Sequence, residues 1–177
     1  SAERKSQSLE YYKEILGFEI KSQRIREFIT NHDEQLQKAS EEYGISKYVI
    51  AAIIGIESDF GQNIGSYNPF NVYVSMYVED YRRDFAKAQL KELLKFVERH
   101  DIDVFELKSS YAGAMAFAQF IPYSLNKWFV GKDIFDMNNN IMSVANYLAY
   151  FKARNNDIET AVLRYNPSSL YTQAVLD

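Results

Sequence analysis

From Val49 to Ile56 the chain reads Val-Ile-Ala-Ala-Ile-Ile-Gly-Ile, with no charged side chain on any helical face. Gly44 suits the end of a preceding helix and Ser46 the N-cap of this one. A helix apolar all round must be enclosed by other elements. The run therefore predicts a central buried helix, with the rest of the chain wrapped around it.

The flanking pattern supplies that surround. Tyr12, Ile15, Leu16, Ile25, Phe28 and Ile29 recur at helical spacing between Leu9 and about Ala39, with interruptions expected at Gly17 and Thr30-Asn31. Gly61, Gly65 and Asn68-Pro69 mark a loop from Asp59 to about Asn71. Asp80 is a cap for an amphipathic helix with Ala86, Leu90, Leu93, Leu94 and Val97 on one face. A polar connection through Asp101 and Asp103 leads to a small-residue stretch, Tyr111 to Gln119, which reads as a close-packing helix limited by Pro122. Asn138 or Asn139 can cap a helix through Ile141, Val144, Ala145, Leu148 and Phe151. Asp157 opens a shorter one reaching Arg164, and Pro167-Ser168 a last one through Val175. Roughly eight helices and no alternation at period 2 predict an all-α fold. The length, 177 residues, fits one domain with a substantial core.

Composition excludes several functions. The net charge is −4 without a basic run, so no nucleic-acid or anionic-membrane footprint is expected. Cysteine is absent, which removes thiol chemistry, disulfides and thiolate metal sites. His32 and His100 are dispersed among charged residues, so neither a metal site nor a cofactor is expected. No apolar run reaches the roughly 20 residues of a membrane span, and Ser1 to Gln7 does not read as a signal peptide.

Glu57 closes the apolar run. A carboxyl beside a dry helix is costly to ionise, and the negative end of the helix dipole disfavours the anion further. Both effects favour a protonated acid near neutral pH, which a glycosidase needs to protonate a leaving oxygen. The plainer alternative is an exposed side chain, or an ion pair with an arginine such as Arg82, Arg83 or Arg164.

Four blocks carry a resemblance. Val49-Ile50-Ala51-Ala52-Ile53-Ile54-Gly55-Ile56-Glu57-Ser58-Asp59-Phe60-Gly61 resembles the catalytic-helix motif of lytic murein transglycosylases of the membrane-bound B type, in which an I-I-G-[IV] segment precedes E-[TS]-x-[FYW]-G. Lys108-Ser109-Ser110-Tyr111-Ala112-Gly113-Ala114-Met115-Ala116-Phe117-Ala118-Gln119-Phe120-Ile121-Pro122 resembles that family's K-G-S-[FY]-A-G-A-M-G-x-x-Q-F-x-P. Ser143-Val144-Ala145-Asn146-Tyr147-Leu148 is similar to its S-V-A-N-Y. Arg164-Tyr165-Asn166-Pro167-Ser168-Ser169-Leu170-Tyr171 is similar to R-Y-N-x-S-x-x-Y. The blocks occur in family order, and the similarity runs from about Phe28 to the end. Ala116 and Ser109 stand where glycine is usual. The stretch from Phe129 to Met137 lacks a D-x-[DN]-x-[DN]-G calcium loop, so the calcium site of some relatives is not carried over.

The resemblance implies a lysozyme-like helical domain of lytic transglycosylases over residues 1–177, with residues 1–40 as an N-terminal helical segment packing on it. It implies cleavage of the β-1,4 bond between N-acetylmuramic acid and N-acetylglucosamine, with Glu57 as the single general acid/base and a 1,6-anhydromuramic end as product. Ser110 and Gln119 are then candidates for N-acetyl or peptide-stem groups. Tyr165 and Asn166 are candidates for the acetamido group, and Tyr171 for the same wall. Met115 is a candidate groove residue for which core packing is equally expected. Tyr81, with Arg82-Arg83, is a candidate for saccharide or stem carboxylates, against a solvated helix start. The structural alternatives are capping for Ser110 and buried packing for the tyrosines.

Peptidoglycan glycan strands are the expected partner of a monomeric chain in the periplasm or cell envelope. A signal or lipid-anchor segment ahead of Ser1 is part of that expectation. Two rivals remain. A muramidase-type hydrolase would need a second carboxylate, for which Asp59 and Asp80 are the nearby candidates. A non-catalytic peptidoglycan-binding domain would not require Glu57, Gln119 and Asn166.

Overall fold

The computed structural model describes residues 2–155 and 157–165. Among these residues the fold is helical, with isolated backbone bridges and no strands. The helices are α1 (Ala2–Asn31), α2 (Asp33–Tyr43), α3 (Lys47–Ser58), α4 (Pro69–Val78), α5 (Arg83–His100), α6 (Pro122–Trp128), α7 (Met137–Asn155) and α8 (Ile158–Tyr165), with a 3-10 turn at Val104–Glu106.

The apolar run forms α3, the hub of the fold. Ser46 Oγ accepts from the Tyr48 N–H at 3.2 Å, and Gly44 closes α2 at φ +68°. Packed against α1, α2 and α7, α3 buries Ile50, Ala51, Ile53 and Ile54 completely. Each such Ile contributes about 1.5–3 kcal/mol by leaving water. Leu36 of α2, Leu93 of α5, and Ile141, Val144 and Leu148 of α7 complete the same core. The helix is not enclosed all round, however. Tyr48 is 62% exposed and Ile56 46%, so α3 surfaces at both ends, and Glu57 follows directly on the C-terminal exit.

Several expectations change. Gly17 does not interrupt α1, whereas the break at Thr30-Asn31 is present as a turn at His32. Asp80 is not the cap of α5. That helix starts at Arg83 and buries Ala86, Gln89, Leu93 and Phe96, so its inner face is displaced from the expected one and Leu94 lies 48% exposed. Gln89 is tolerated inside because its Oε1 accepts the Tyr123 N–H at 3.0 Å. The Asn138 N–H donates to Asp136 Oδ1 at 3.2 Å, so Asp136, and neither Asn138 nor Asn139, caps α7. Asp157 does cap α8, accepting the Glu159 N–H at 3.0 Å. The expected last helix lies outside the described residues.

The largest correction concerns Tyr111 to Gln119, which is not a helix. Its backbone folds as turns tied by bridges between Tyr67 and Ser109, Ser109 and Met115, and Met115 and Phe120. Positive φ at Gly113 (+84°), Ala116 (+65°) and Gln119 (+55°) rules out a helix there.

Candidate active site

Glu57 occupies the last turn of α3 and is half-buried. The chain then takes three successive left-handed residues, Asp59, Phe60 and Gly61, and turns back over its own helix. Gly55 makes this turn possible, since a Cβ there would lie 2.6 Å from the Phe60 ring. That ring stacks on Phe28 of α1 with centroids 5.0 Å apart.

Ser58 locks the helix end to the second block. Its buried Oγ lies 2.7 Å from the Phe117 carbonyl and 3.1 Å from that of Ile54, and accepts the Gly61 N–H at 3.1 Å. A short serine thus joins the glutamate-bearing turn to the segment carrying Gln119.

Glu57, Ser110 and Gln119 line one cleft of about 600 Å³, within the range of small-molecule sites. Ser110 Oγ accepts the N–H groups of Ala112 and Ala114, both at 3.2 Å. The capping role is therefore present, and the hydroxyl proton remains available as a donor. Gln119 uses its amide NH₂ on the carbonyls of Ala116 (2.9 Å) and Ile64 (3.4 Å). Toward a ligand it can therefore act as an acceptor. Lys108, Tyr67 and Tyr111 also line the cleft, with Tyr67 55% and Tyr111 79% exposed. Lys108 and Tyr111 stood inside the second block without being singled out, and nothing in the sequence links Tyr67 to that block.

A second cavity, of about 140 Å³, adjoins at Gln119 and is lined by Tyr165, Tyr147 and Arg164 among others. The Tyr165 hydroxyl donates to the Ala118 carbonyl, and its ring meets Tyr147 edge-on at 4.9 Å. Tyr147, missed as a site residue, donates its hydroxyl to the Arg164 carbonyl at 3.0 Å. Burial pushes the Tyr147 hydroxyl up to about 12. The positive charge of Arg164 opposes that rise, and the negative charge of Glu57 adds to it. Glu57 is thus within electrostatic reach of Tyr147 in the third block.

Asn140 is the buried support of this assembly, and it too was missed. Its Oδ1 accepts the Ala118 N–H at 3.0 Å, while Nδ2 donates to Ile134 (2.9 Å) and Asp136 (2.8 Å) carbonyls. Ala118 is therefore held from both sides, directly before Gln119.

Other candidates fall elsewhere. Met115 is fully buried and packs in the core rather than lining the groove. Tyr81 is 63% exposed and lines neither cavity. Its neighbours Arg82 and Arg83 lie over the rings of Phe85 (4.0 Å) and Tyr77 (4.2 Å). Asn166 and Tyr171 lie outside the described residues. His32 and His100 each stack on the Phe one helical turn earlier, and burial lowers the pKa of both. Among the described residues, no group of three or more potential metal ligands is gathered. No helix there is long and apolar enough to cross a membrane.

The helical core, without strands among the described residues, matches the lysozyme-like architecture of lytic transglycosylases. The chain belongs to the Transglycosylase SLT domain family (SLT_2), which it matches over residues 1–156. It is 30% identical over 133 residues to membrane-bound lytic murein transglycosylase B of Escherichia coli K12, a match covering 71% of this chain and 36% of that protein. The chain thus spans about a third of that relative's length. Among solved structures it is similar to soluble lytic transglycosylase SltB1 of Pseudomonas aeruginosa, with TM-score 0.81, 25% identity, and coverage of 88% and 76% of the two chains. SltB3 of the same organism, in complex with NAG-NAM-pentapeptide, matches with TM-score 0.78, 22% identity, and coverage of 87% and 62%.

Proposed function

We propose that this chain cleaves the β-1,4 bond between N-acetylmuramic acid and N-acetylglucosamine in peptidoglycan, without water, using Glu57 as its single acid/base. The observation that carries this reading is the acid content of the cleft. Among the described residues lining it, Glu57 is the sole carboxylate. The usual glycoside hydrolase needs a second one, about 6.5–9.5 Å away for inversion or 5–5.5 Å for retention. Asp59 is instead held by Arg24 of α1 through two contacts of 2.9 and 3.1 Å, and Asp80 lies outside the cleft.

In the proposed sequence Glu57 gives its proton to the glycosidic oxygen as the bond to C1 breaks. The substrate's 2-acetamido oxygen stabilises the cation at C1. Ionised Glu57 then takes the proton of the C6 hydroxyl, and O6 closes on C1 to give the 1,6-anhydro end. Ser110 as donor and Gln119 as acceptor match the carbonyl and N–H of an acetamido group. Tyr165 acts through Ala118, holding the turn that presents Gln119, and Asn166 and Tyr171 are proposed as substrate-binding residues on their motif match alone. The setting proposed is the periplasm or cell envelope, with glycan strands as partner and the chain acting as a monomer.

The test is Glu57→Gln, which keeps shape and removes the transferable proton. Lysis of purified cell walls should fall at least about 10²–10⁴-fold, and wild-type muropeptides should carry anhydro ends by mass spectrometry. Hydrated ends would indicate a muramidase, and absence of lysis by the wild type a binding domain. Near-normal lysis by a folded Gln variant would remove Glu57 from the mechanism.

A further inference from the structure

The small cavity beside the cleft carries a cation that the proposed cleavage does not use. Arg164 lines it together with the hydroxyl-bearing side chains of Tyr147, Tyr165 and Ser124, and no carboxylate lines it among the described residues. Arg164 is a half-committed group. Its backbone is anchored, because its carbonyl accepts the Tyr147 hydroxyl at 3.0 Å. Its guanidinium lies over the Phe151 ring at 5.9 Å, and among the described residues it has no ion-pair partner. Arg82 and Arg83 stack on rings outside both cavities, so Arg164 is the arginine placed at this site.

The size of the space limits what it can hold. At about 140 Å³ it falls below the roughly 300 Å³ at which whole-ligand sites begin. It suits a substituent rather than another sugar ring. Gln119 lines both cavities, so a glycan seated in the main cleft can direct a side group into the smaller one. In that polymer the sugar rings are neutral, and acidic groups are carried on the muramyl 3-O-substituent. A planar guanidinium with anchored backbone recognises a carboxylate through two parallel hydrogen bonds.

We infer that Arg164 recognises a carboxylate carried by the muramyl substituent, making it a specificity residue that separates peptidoglycan from uncharged glycans. This rests on the peptidoglycan reading above. The carboxylate can be that of the lactyl group itself, free once the peptide is removed, or one on the stem peptide.

Binding to the Glu57→Gln protein, measured by calorimetry, tests it with three ligands of equal length. These are a NAG-NAM oligomer with stem peptides, the same oligomer after amidase removal of the stems, and a chitooligosaccharide without carboxylates. Adding Arg164→Ala should weaken carboxylate-bearing ligands about 10- to 100-fold and leave the chitooligosaccharide within twofold. Arg164→Lys, which keeps charge but loses the fork, should fall between. A loss confined to the stem-bearing ligand assigns the site to a stem carboxylate, whereas a loss with the destemmed oligomer assigns it to the lactyl group. Equal weakening of all three ligands, or of none, overturns the proposal. If the Glu57→Gln parent binds none of them, the peptidoglycan reading fails and this one falls with it. If the parent binds all three with equal affinity, only the specificity role fails.

Discussion

Replacing Asn140 by Leu would test whether the cleft is held by buried hydrogen bonds rather than by packing alone. The side chain is fully buried and makes three bonds to backbone. In the Leu variant the Ala118 N–H and the Ile134 carbonyl lose the partners described for them. The Asp136 carbonyl keeps the Asn140 N–H at 3.1 Å. Two orphaned buried groups cost about 1–3 kcal/mol each, and burying Leu returns about 1.5–3 kcal/mol. The net loss is about 2 kcal/mol, or roughly 4–8 °C in melting temperature for a domain of this size.

Stability is half of this prediction. Ala118 immediately precedes Gln119, so loss of its anchor should misplace Gln119 and lower wall lysis per folded molecule by about tenfold or more. Calorimetry gives the first quantity, and turbidity decrease of purified walls at a temperature where the variant is fully folded gives the second. An unchanged melting temperature would show that these bonds contribute nothing net. A lowered melting temperature with normal lysis would show that Asn140 supports the core and not the site.

The raised pKa of Tyr147 makes stability fall in alkali. Folded protein keeps this proton to about pH 12 while the unfolded chain releases it near pH 10. The contribution is therefore complete below about pH 10 and is lost as pH rises toward 12. Tyr147→Phe should flatten that part of the pH–stability curve measured by urea unfolding, and an identical slope in both proteins would contradict the assignment. Wall lysis should persist after EDTA treatment, given the dispersed His and acidic residues. A large loss restored by added calcium or zinc would show a site involving residues not gathered in the described structure.

What the sequence discloses divides along the distance over which the signals act. The hub helix, its Ser46 cap, the Gly44 stop and the Asp157 start are local, set by residues within one turn, and all were readable. Two helices, α4 and α6, escape the sequence reading for one reason: Pro69 and Pro122 read as breaks but stand at the first helical position. Proline is favoured in the first helical turn, where its absent N–H is not needed, and Asn68 Oδ1 does cap α4 by accepting the Asn71 N–H at 3.1 Å.

The segment from Tyr111 to Gln119 could not be read at all from spacing. Its small residues permit a helix, but its backbone is bound by partners far away in sequence: Tyr73, Asn140 and Tyr165. Block resemblance nevertheless located Glu57, Ser110 and Gln119, which the structure brings to one cleft. It named Met115 with them, although that side chain points away into the core, because a motif records identity and not direction.

The same long-range closure makes one glycine critical to the cleft. Gly65 has φ +91°, and a Cβ there would lie 2.0 Å from the Ser109 carbonyl oxygen, 2.3 Å from its carbon and 2.6 Å from the Ser110 nitrogen. All three are backbone atoms, so no rotamer can yield. Next to them the Tyr67 and Ser109 backbones exchange hydrogen bonds of 3.0 and 2.7 Å, and Gly65 and Ser110 both line the cleft. Gly65→Ala should therefore cost about 1–2 kcal/mol for the left-handed backbone and about 0.5–1.5 kcal/mol for each bridge bond it breaks. Lysis per folded molecule should fall with it, because Ser110 moves. Gly17→Ala is the matched control. It lies within α1 with nothing within 4 Å of an added Cβ, so it should stabilise by up to about 1 kcal/mol without changing the rate. If both variants melt and lyse like the wild type, the close approach of Gly65 to Ser109 does not hold the cleft. If Gly65→Ala loses stability but keeps its rate, the bridge serves the fold and leaves the position of Ser110 immaterial to cleavage.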